Sequence, residues 1–525
     1  MTAEGRPLAG GSLAQTRAPP GPCATIRPVK PRPARSALTS AARFRWALAL
    51  LAIPALGWAQ NPNATAKDRP NIVVVLLDDA DTEITESMPR LRSMLIEQGA
   101  RFTANIANTP LCGPARAVIL SGEYAHNNKV YYNNGPEGGY APWLRGDYDR
   151  KSLGPRLQAL GYRTGLFGKY MNDFPTGQKE TFVPEGWNDF QGVLSDREAH
   201  NNRFTLNQNG VPQVHEAATG GYQTDLLSRR LESFIRDGEK NDDQPFFAFL
   251  SLSAPHVPPE PAARHLTAFP GEKAPRKPSF DEADLSDKPR ALREQATPLT
   301  MRQMLEIDET YRSMKQSLLA VEESIEALMK TLNETRETSR TYIFLTSDNG
   351  WMRGEHRIPA EKYAPYEESI RVPLIVRGPG VAAGLTLDHM VGLVDLAPTF
   401  LDLAGAAPQS TAPGDGRSLV PLLRLKKGER APWRESMLIE HFGGGAPFRV
   451  RGYFGLRSKN ELYVEYATGE KEYYDLVRDP YQMENSASGL DAPALARLHG
   501  RISALKDCRG QTCRSGDGTA APTAR

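Results

Sequence analysis

Four oxygen-donor side chains stand in two adjacent pairs, Asp78-Asp79 and Asp348-Asn349, each at the end of an apolar run. No cysteine or histidine lies immediately beside either pair. Hard oxygen ligands of this kind select calcium or magnesium over zinc, and calcium tolerates crowded, irregular carboxylate sets better. One pair alone would read as a strand-end turn or a helix cap. Two pairs together predict a metal site. Cys112, Pro114 and Arg116 form a second candidate group, in Cys112-Gly113-Pro114-Ala115-Arg116. Proline suits the first turn of a helix. An arginine four residues after the cysteine then faces the same side, one turn on. A cysteine there is either a small buried hydrophobe or a reactive group beside a fixed cation.

These groups need a frame to hold them. Residues 71–79 (NIVVVLLDD) form a continuous apolar stretch ending in acid, the pattern of a strand buried on both faces. Phe246–Leu252 and Tyr342–Thr346 look alike, and Leu374–Val376 is a shorter example. The first three lead into Asp78-Asp79, Ser253-Ala254-Pro255-His256 and Ser347-Asp348-Asn349-Gly350. In open α/β sheets ligands gather beyond the carboxyl ends of the strands, so the expectation is a large mixed, mostly parallel sheet with its chemistry along one edge. Met304, Ile307, Tyr311, Met314, Leu318, Val321, Ile325, Leu328 and Leu332 recur at three- and four-residue spacing, which predicts a long helix packed on that sheet. Residues 255–300 are rich in proline and charge and are expected to wall the entrance to the site. After Gly414-Asp415-Gly416-Arg417, alternating segments at Tyr453–Arg457 and Glu461–Tyr466 predict a smaller antiparallel sheet. The expected division is a leader over 1–59, a catalytic domain over 66–415, a C-terminal α+β subdomain over 416–507 and a disordered tail over 508–525. There are no internal repeats.

The leader reads as an export signal. Trp46–Gly57 is an uncharged apolar run of 12 residues behind Arg43 and Arg45, ending in Gly57-Trp58-Ala59. That is too short to span a bilayer as a helix and matches a secretory signal cleaved after Ala59. The residues before it are unusually many for a signal and raise the question of the true start. Without residues 1–59 the chain keeps 56 lysines and arginines against 61 acids, a net charge of −5. The mild overall basicity thus belongs to the leader, and no nucleic-acid footprint remains. Cys508 and Cys513 are close enough in sequence to bridge in an oxidising compartment. The expected location is periplasmic or secreted.

The run Leu111–Gly122 (LCGPARAVILSG) resembles the signature of type I, formylglycine-dependent sulfatases. Glu367–Pro373 and Asp395–Thr399 extend the resemblance over nearly all of the chain beyond the leader. Gly168-Lys169-Tyr170-Met171-Asn172 and Tyr131-Tyr132-Asn133-Asn134 look most like the branch of N-acetylglucosamine-6-sulfatases, heparan endosulfatases and related arylsulfatases. The resemblance implies an alkaline-phosphatase-like α/β fold. It also implies that a formylglycine-generating enzyme converts Cys112 to an aldehyde. The hydrate of that aldehyde carries one hydroxyl to attack sulfur and another to expel sulfate as the carbonyl re-forms. One calcium ion per chain would sit on Asp78, Asp79, Asp348, Asn349 and residue 112. Arg116 would hold the hydrate, Lys169 and Lys362 would bind sulfate, and His256 would contact sulfate and protonate the leaving oxygen. Many sulfatases carry Gly-Lys-Trp-His where this chain has Gly168–Tyr170-Met171, so the usual base is missing. His126 is the substitute expected here, Asn172 could add a hydrogen bond, and His356 is expected to play a supporting part. The implied substrate is a sugar sulfate such as N-acetylglucosamine 6-sulfate. The rivals are a broad arylsulfatase, a phosphonate or phosphodiester hydrolase of the same superfamily, and a non-catalytic glycan-binding relative. No nucleic acid or membrane span is expected.

Overall fold

The computed structural model describes residues 68–194, 201–238, 240, 244–406, 414–443 and 450–518. The expected leader over 1–59 lies outside them. Sixteen strands are β1 Asn71–Leu77, β2 Ala100–Phe102, β3 Asn105–Ile106, β4 Arg163–Lys169, β5 Asp189–Val193, β6 Arg203–Gln208, β7 Val211–Glu216, β8 Phe246–Ser251, β9 Thr341–Ser347, β10 Leu374–Arg377, β11 Leu385–Leu387, β12 Val391–Gly392, β13 Ser436–His441, β14 Tyr453–Ser458, β15 Glu461–Tyr466 and β16 Lys471–Asp475. Ten of them form one sheet in the order β11-β2-β10-β9-β1-β8-β4-β5-β6-β7.

The centre of that sheet follows from its composition. β9, β1, β8, β4 and β5 run parallel. All seven residues of β1 are buried. Side chains alternate across a strand, and those of β1 divide between two cores. Ile72, Val74 and Leu76 join one; Val73, Val75 and Leu77 join the other. A strand apolar on both faces requires helices on both. On one side lies the helix Met301–Glu334, closed at its start by a reciprocal capping box between Thr300 and Gln303. On the other lies the helix Cys112–Ser121, every residue of which is buried.

Registry puts the ends of the parallel strands level. Leu76 pairs with Ser251, Leu77 with Ser347 and Gly168 with Ser251. Asp78, Lys169, Ser251 and Asp348 therefore emerge along one edge. Gly168 permits this closeness: its φ is +115°, and a Cβ there would lie 1.8 Å from the Ser251 carbonyl oxygen.

β13–β16 form the expected antiparallel sheet, and they share a core with one face of the large sheet. The helix Ala492–Leu505, capped by Asp491, buries Leu498, Ile502 and Leu505. The expectation of a disordered tail from 508 is corrected for 508–518. Cys508 is bridged to Cys513, which lies within the helix Gln511–Gly516, and Asp517 is buried against Arg417 and Arg434. Ion pairs with distant arginines hold this segment, which local composition does not reveal. Residues 519–525 lie outside the described residues. No helix among the described residues is long and apolar enough to cross a membrane.

Candidate active site

The site is assembled from strand ends and one helix start. Asp78-Asp79 follow β1, Lys169 ends β4, Ser251 ends β8, Asp348-Asn349 follow β9, and Cys112 opens the helix Cys112–Ser121. Asp79 adopts φ +66°, a left-handed turn that aspartate tolerates better than most residues. Arg116, one turn into the helix and fully buried, joins the strand ends. Its Nη2 donates to Asp78 Oδ2 at 2.9 Å, its Nε to Asp348 Oδ2 at 3.0 Å and its Nη1 to Ser251 Oγ at 2.6 Å. Lys169 Nζ reaches Asp78 Oδ2 at 2.6 Å. Lys362 Nζ donates to Asp79 Oδ1 at 2.6 Å and to Cys112 Sγ at 2.8 Å. Cys112 Sγ itself lies 3.4 Å from Asp78 Oδ1. His256 closes the solvent-facing side: its Nε2 is 3.5 Å from Asp79 Oδ2 and its side chain is 39% exposed.

Charge in this space is concentrated and balanced. Asp78, Asp79 and Asp348 face Arg116, Lys169 and Lys362. Burial opposes ionisation of Asp78, but the cations Lys169, His256, Arg116 and Lys362 together hold its carboxyl well below the usual range. Burial, with the charge of Asp78 added, pushes Asp348 up to about 6. Burial also pushes the Cys112 thiol up to about 12, again with Asp78 contributing. Burial lowers His256, outweighing the pull of Asp79 and Asp78. The unmodified thiol is thus protonated at neutral pH and a poor nucleophile.

The donor set fits a divalent cation. Asp79 Oδ2 and Asn349 Oδ1 are buried acceptors with no hydrogen-bond partner, which is costly unless a cation meets them. Ligand atoms of Asp78, Asp79, Cys112 and His256 all lie within 4.8 Å of one another. Two of these four atoms are carboxylate oxygens, and Asn349 Oδ1 adds an amide oxygen, a donor type that suits calcium or magnesium.

Of the residues singled out from sequence, Asp78, Asp79, Cys112, Arg116, Lys169, His256, Asp348, Asn349 and Lys362 come together. His126 does not. It follows the far end of the helix Cys112–Ser121, a run of ten residues that rises about 1.5 Å per residue. There its Nδ1 meets Glu440 Oε2 at 2.8 Å and its Nε2 meets the Cys508 carbonyl at 2.9 Å. The expectation that His126 serves as the base is corrected on that geometry. His356 is also held elsewhere. Its Nδ1 lies 2.6 Å from Glu282 Oε2 and its amide donates to Ser279 O, so it ties the 255–300 segment to the turn after β9. Three residues were missed. Ser251 completes the hold on Arg116. Asn133 Oδ1 accepts from Gly113 N at 2.7 Å. Trp351 lies beneath Lys362, 5.5 Å from its ammonium. The run of β8 into Ser251 was a usable signal for the first, and Asn133 stood in the Tyr131–Asn134 run that carried the branch resemblance; Trp351 had only its place beside Asp348-Asn349.

Two family models match the chain: Sulfatase over residues 70–406, and N-sulphoglucosamine sulphohydrolase, C-terminal, over 354–507. The N-acetylglucosamine-6-sulfatase of Capra hircus is 32% identical over 489 residues, 86% of each chain. An arylsulfatase of Volvox carteri is 31% identical over 516 residues, 88% of this chain and 78% of its own. A solved structure of a protein in complex with its substrate D-glucosamine-2-N,6-O-disulfate superposes with a TM-score of 0.71 at 25% identity, covering 86% of this chain and 99% of the other.

Proposed function

Because this chain belongs to the sulfatase family and is a sulfuric ester hydrolase, we propose that it acts on the sulfate ester of a sugar, with N-acetylglucosamine 6-sulfate as first choice. The observation that carries this reading is the gathering of Arg116, Lys169 and Lys362 with two unsatisfied oxygens around Asp78, Asp79 and residue 112. The similarity to an N-acetylglucosamine-6-sulfatase supports the choice of sugar. In this reading Cys112 is converted to formylglycine, whose hydrate supplies a hydroxyl nucleophile that a buried, protonated thiol cannot. A calcium ion on Asp78, Asp79, Asp348, Asn349 and residue 112 would supply the charge that polarises the ester.

The chain's own residues do the rest. Lys169 and Lys362 are fixed donors for the sulfate oxygens, held in place before substrate arrives, so they need no reorganisation as charge develops. Arg116 is pinned by Asp78, Asp348 and Ser251 and holds the side chain of residue 112 in line. His256, at the open side, protonates the leaving oxygen. Burial of the ring lowers its pKa, and an incoming anion favours its protonated form. Having given up that proton, the neutral ring can take one from the hydroxyl of residue 112, a role that His126 is too far away to fill. The same proposal places the catalytic part at 66–415, the C-terminal part at 416–507, and the enzyme outside the cytoplasm.

The test is a paired assay of wild type and His256→Ala on a hexosamine 6-sulfate and on a nitrophenyl sulfate. Sugar alcohols are poor leaving groups, so the sugar reaction should fall by about a hundredfold, within the range of general acid catalysis, and the aryl reaction by much less. Equal losses would make His256 a sulfate binder only. The arylsulfatase relative favours a second reading, a broad arylsulfatase, which rapid aryl turnover with none of any sugar sulfate would establish. Faster turnover of an aryl phosphodiester than of either sulfate would overturn both.

A further inference from the structure

We propose that a groove at the far end of the C-terminal sheet docks a sulfated oligosaccharide, apart from the catalytic cluster. The groove encloses about 470 Å³ between the turn after β11, the segment leading into β13, the β14–β15 turn and the helix Ala492–Leu505. β13 gives its distance from the chemistry. The ring of the strand's last residue, His441, lies 5.3 Å from that of Tyr363, the neighbour of Lys362. Its first residue, Ser436, directly follows the groove residue Glu435. Six extended residues separate these ends by about 17 Å.

The lining is cationic in a chain that is not. Arg430, Arg434, Lys459, Arg497 and Arg501 line it with three acids, Asp388, Glu435 and Glu461. Residues 60–525, by contrast, carry 56 bases against 61 acids. Arg497 and Arg501 stand one helical turn apart on one face. Arg434 is buried and fixed by two bonds of 2.8 Å to Asp395, which makes it a rigid floor rather than a free ligand. The remaining pairs lie nearer the surface: Arg501 holds Glu435 at 2.9 Å with side chains 21% and 59% exposed, and Lys459 holds Asp388. Lys459 and Asp388 are each 53% exposed, and Arg497 is 3.9 Å from Glu461. Such pairs contribute little in water, so a stronger anion can displace the acids. Arg430 forms no ion pair among the described residues, and the exposed Lys426 and Lys427 precede it in the same loop. Guanidinium forks match the oxygens of sulfate in two-point contacts, and Trp433 adds a flat apolar wall. Several sulfates on one chain would engage several forks at once. The choice of a sulfated glycan rests on the sugar-sulfate reading above; the cationic groove does not.

The experiment titrates full-length protein carrying Cys112→Ala, which stops turnover, with a sulfated uronate–glucosamine octasaccharide, its unsulfated counterpart and a DNA duplex. The same titrations are run with Arg430→Ser, Lys459→Ser and Arg497→Ser added. The sulfated octasaccharide should bind, the unsulfated one should not, and the triple change should weaken binding by about tenfold or more. With Cys112 intact, the triple variant should turn over nitrophenyl sulfate at the wild-type rate, which also certifies its fold. Unchanged octasaccharide affinity in the triple variant would overturn the proposal, as would equal binding of the DNA duplex. Groove-dependent octasaccharide binding by an enzyme that cleaves no sugar sulfate would uphold the groove and reject the substrate reading.

Discussion

The helix Cys112–Ser121 carries a buried polar cluster at each end, and the two differ in what they leave undone. At its start, Asp78, Asp79, Asp348 and Asn349 meet three cations, yet Asp79 Oδ2 and Asn349 Oδ1 remain without a hydrogen-bond partner. Beyond its end, Glu440 accepts from the amide of His126 at 3.2 Å and from its ring at 2.8 Å. Asp415 accepts from Tyr124 N at 2.8 Å, Asn127 at 2.9 Å and Gly510 N at 2.6 Å. No side-chain atom of His126, Asn127, Asp415 or Glu440 is among the buried atoms left unsatisfied. A satisfied network holds parts together: here it ties the bridged C-terminal segment to the helix. A network with buried oxygen acceptors to spare is incomplete until a cation meets them. Burial and charge alone do not separate these two clusters; the unmet oxygens of Asp79 and Asn349 do.

The largest effect should come from Cys112→Ala. The side chain is fully buried but small, so the fold should survive, with a Tm within a few degrees of wild type on a cost of about 1 kcal/mol. Turnover of every sulfate ester should vanish. Mass spectrometry of the wild-type peptide should show an aldehyde or its hydrate at position 112. Full activity with an intact thiol would put the chemistry elsewhere and dissolve the contrast between the two ends.

Next comes Asp79→Asn, which keeps the shape and, since asparagine tolerates left-handed φ, the backbone. It removes one charge from the unsatisfied set. Turnover should drop by about a hundredfold or more, the several kcal/mol that a bound ion supplies. A second reading is independent of activity: added calcium should raise the Tm of wild type, as any ligand of the native state does, and leave that of the variant unmoved. Stoichiometric zinc in the purified protein, with no response to calcium, would refute the oxygen-ligand site.

The frame of this site was legible and its closure was not. β1 and β9 announce themselves as apolar runs that end in acid, and the spacing from Met304 to Leu332 marks the helix Met301–Glu334. Strand ends that carry Asp and Asn predict where ligands go, and the pentad at Cys112 points to the nucleophile. What sequence could not supply was distance between segments. His126 and Glu440 are 314 residues apart, so a histidine near the motif looked available for catalysis when a remote carboxylate had already claimed it. Asp517 likewise owes its order to Arg417, 100 residues earlier. Local patterns report which face of an element is buried. They do not report which polar partner waits in the fold.

The smallest effect, and the sharpest test of the contrast, is His126→Gln. Nδ1 of His126 faces Glu440 Oε2, and Nε2 faces both the Cys508 carbonyl at 2.9 Å and the Asn127 amide nitrogen at 3.2 Å, so the imidazolium donates to both acceptors while the neutral ring keeps Glu440 and accepts from Asn127. Burial opposes that charge, but the hydrogen bond and charge of Glu440, with the Cys508 carbonyl, raise the histidine above its ordinary value. The sign follows from linkage. A group raised on folding stabilises fully below its unfolded value, about 6.5, and that stability is lost as pH climbs through the raised folded value. Wild type should therefore lose Tm between mildly acidic and mildly alkaline pH by more than His126→Gln does. At acidic pH the variant should be less stable by about 1–3 kcal/mol, the cost of leaving buried acceptors poorly met. Its turnover of nitrophenyl sulfate per folded molecule should match wild type. A variant of unchanged Tm whose turnover collapses would return His126 to the chemistry, and the two ends of the helix would then form one site.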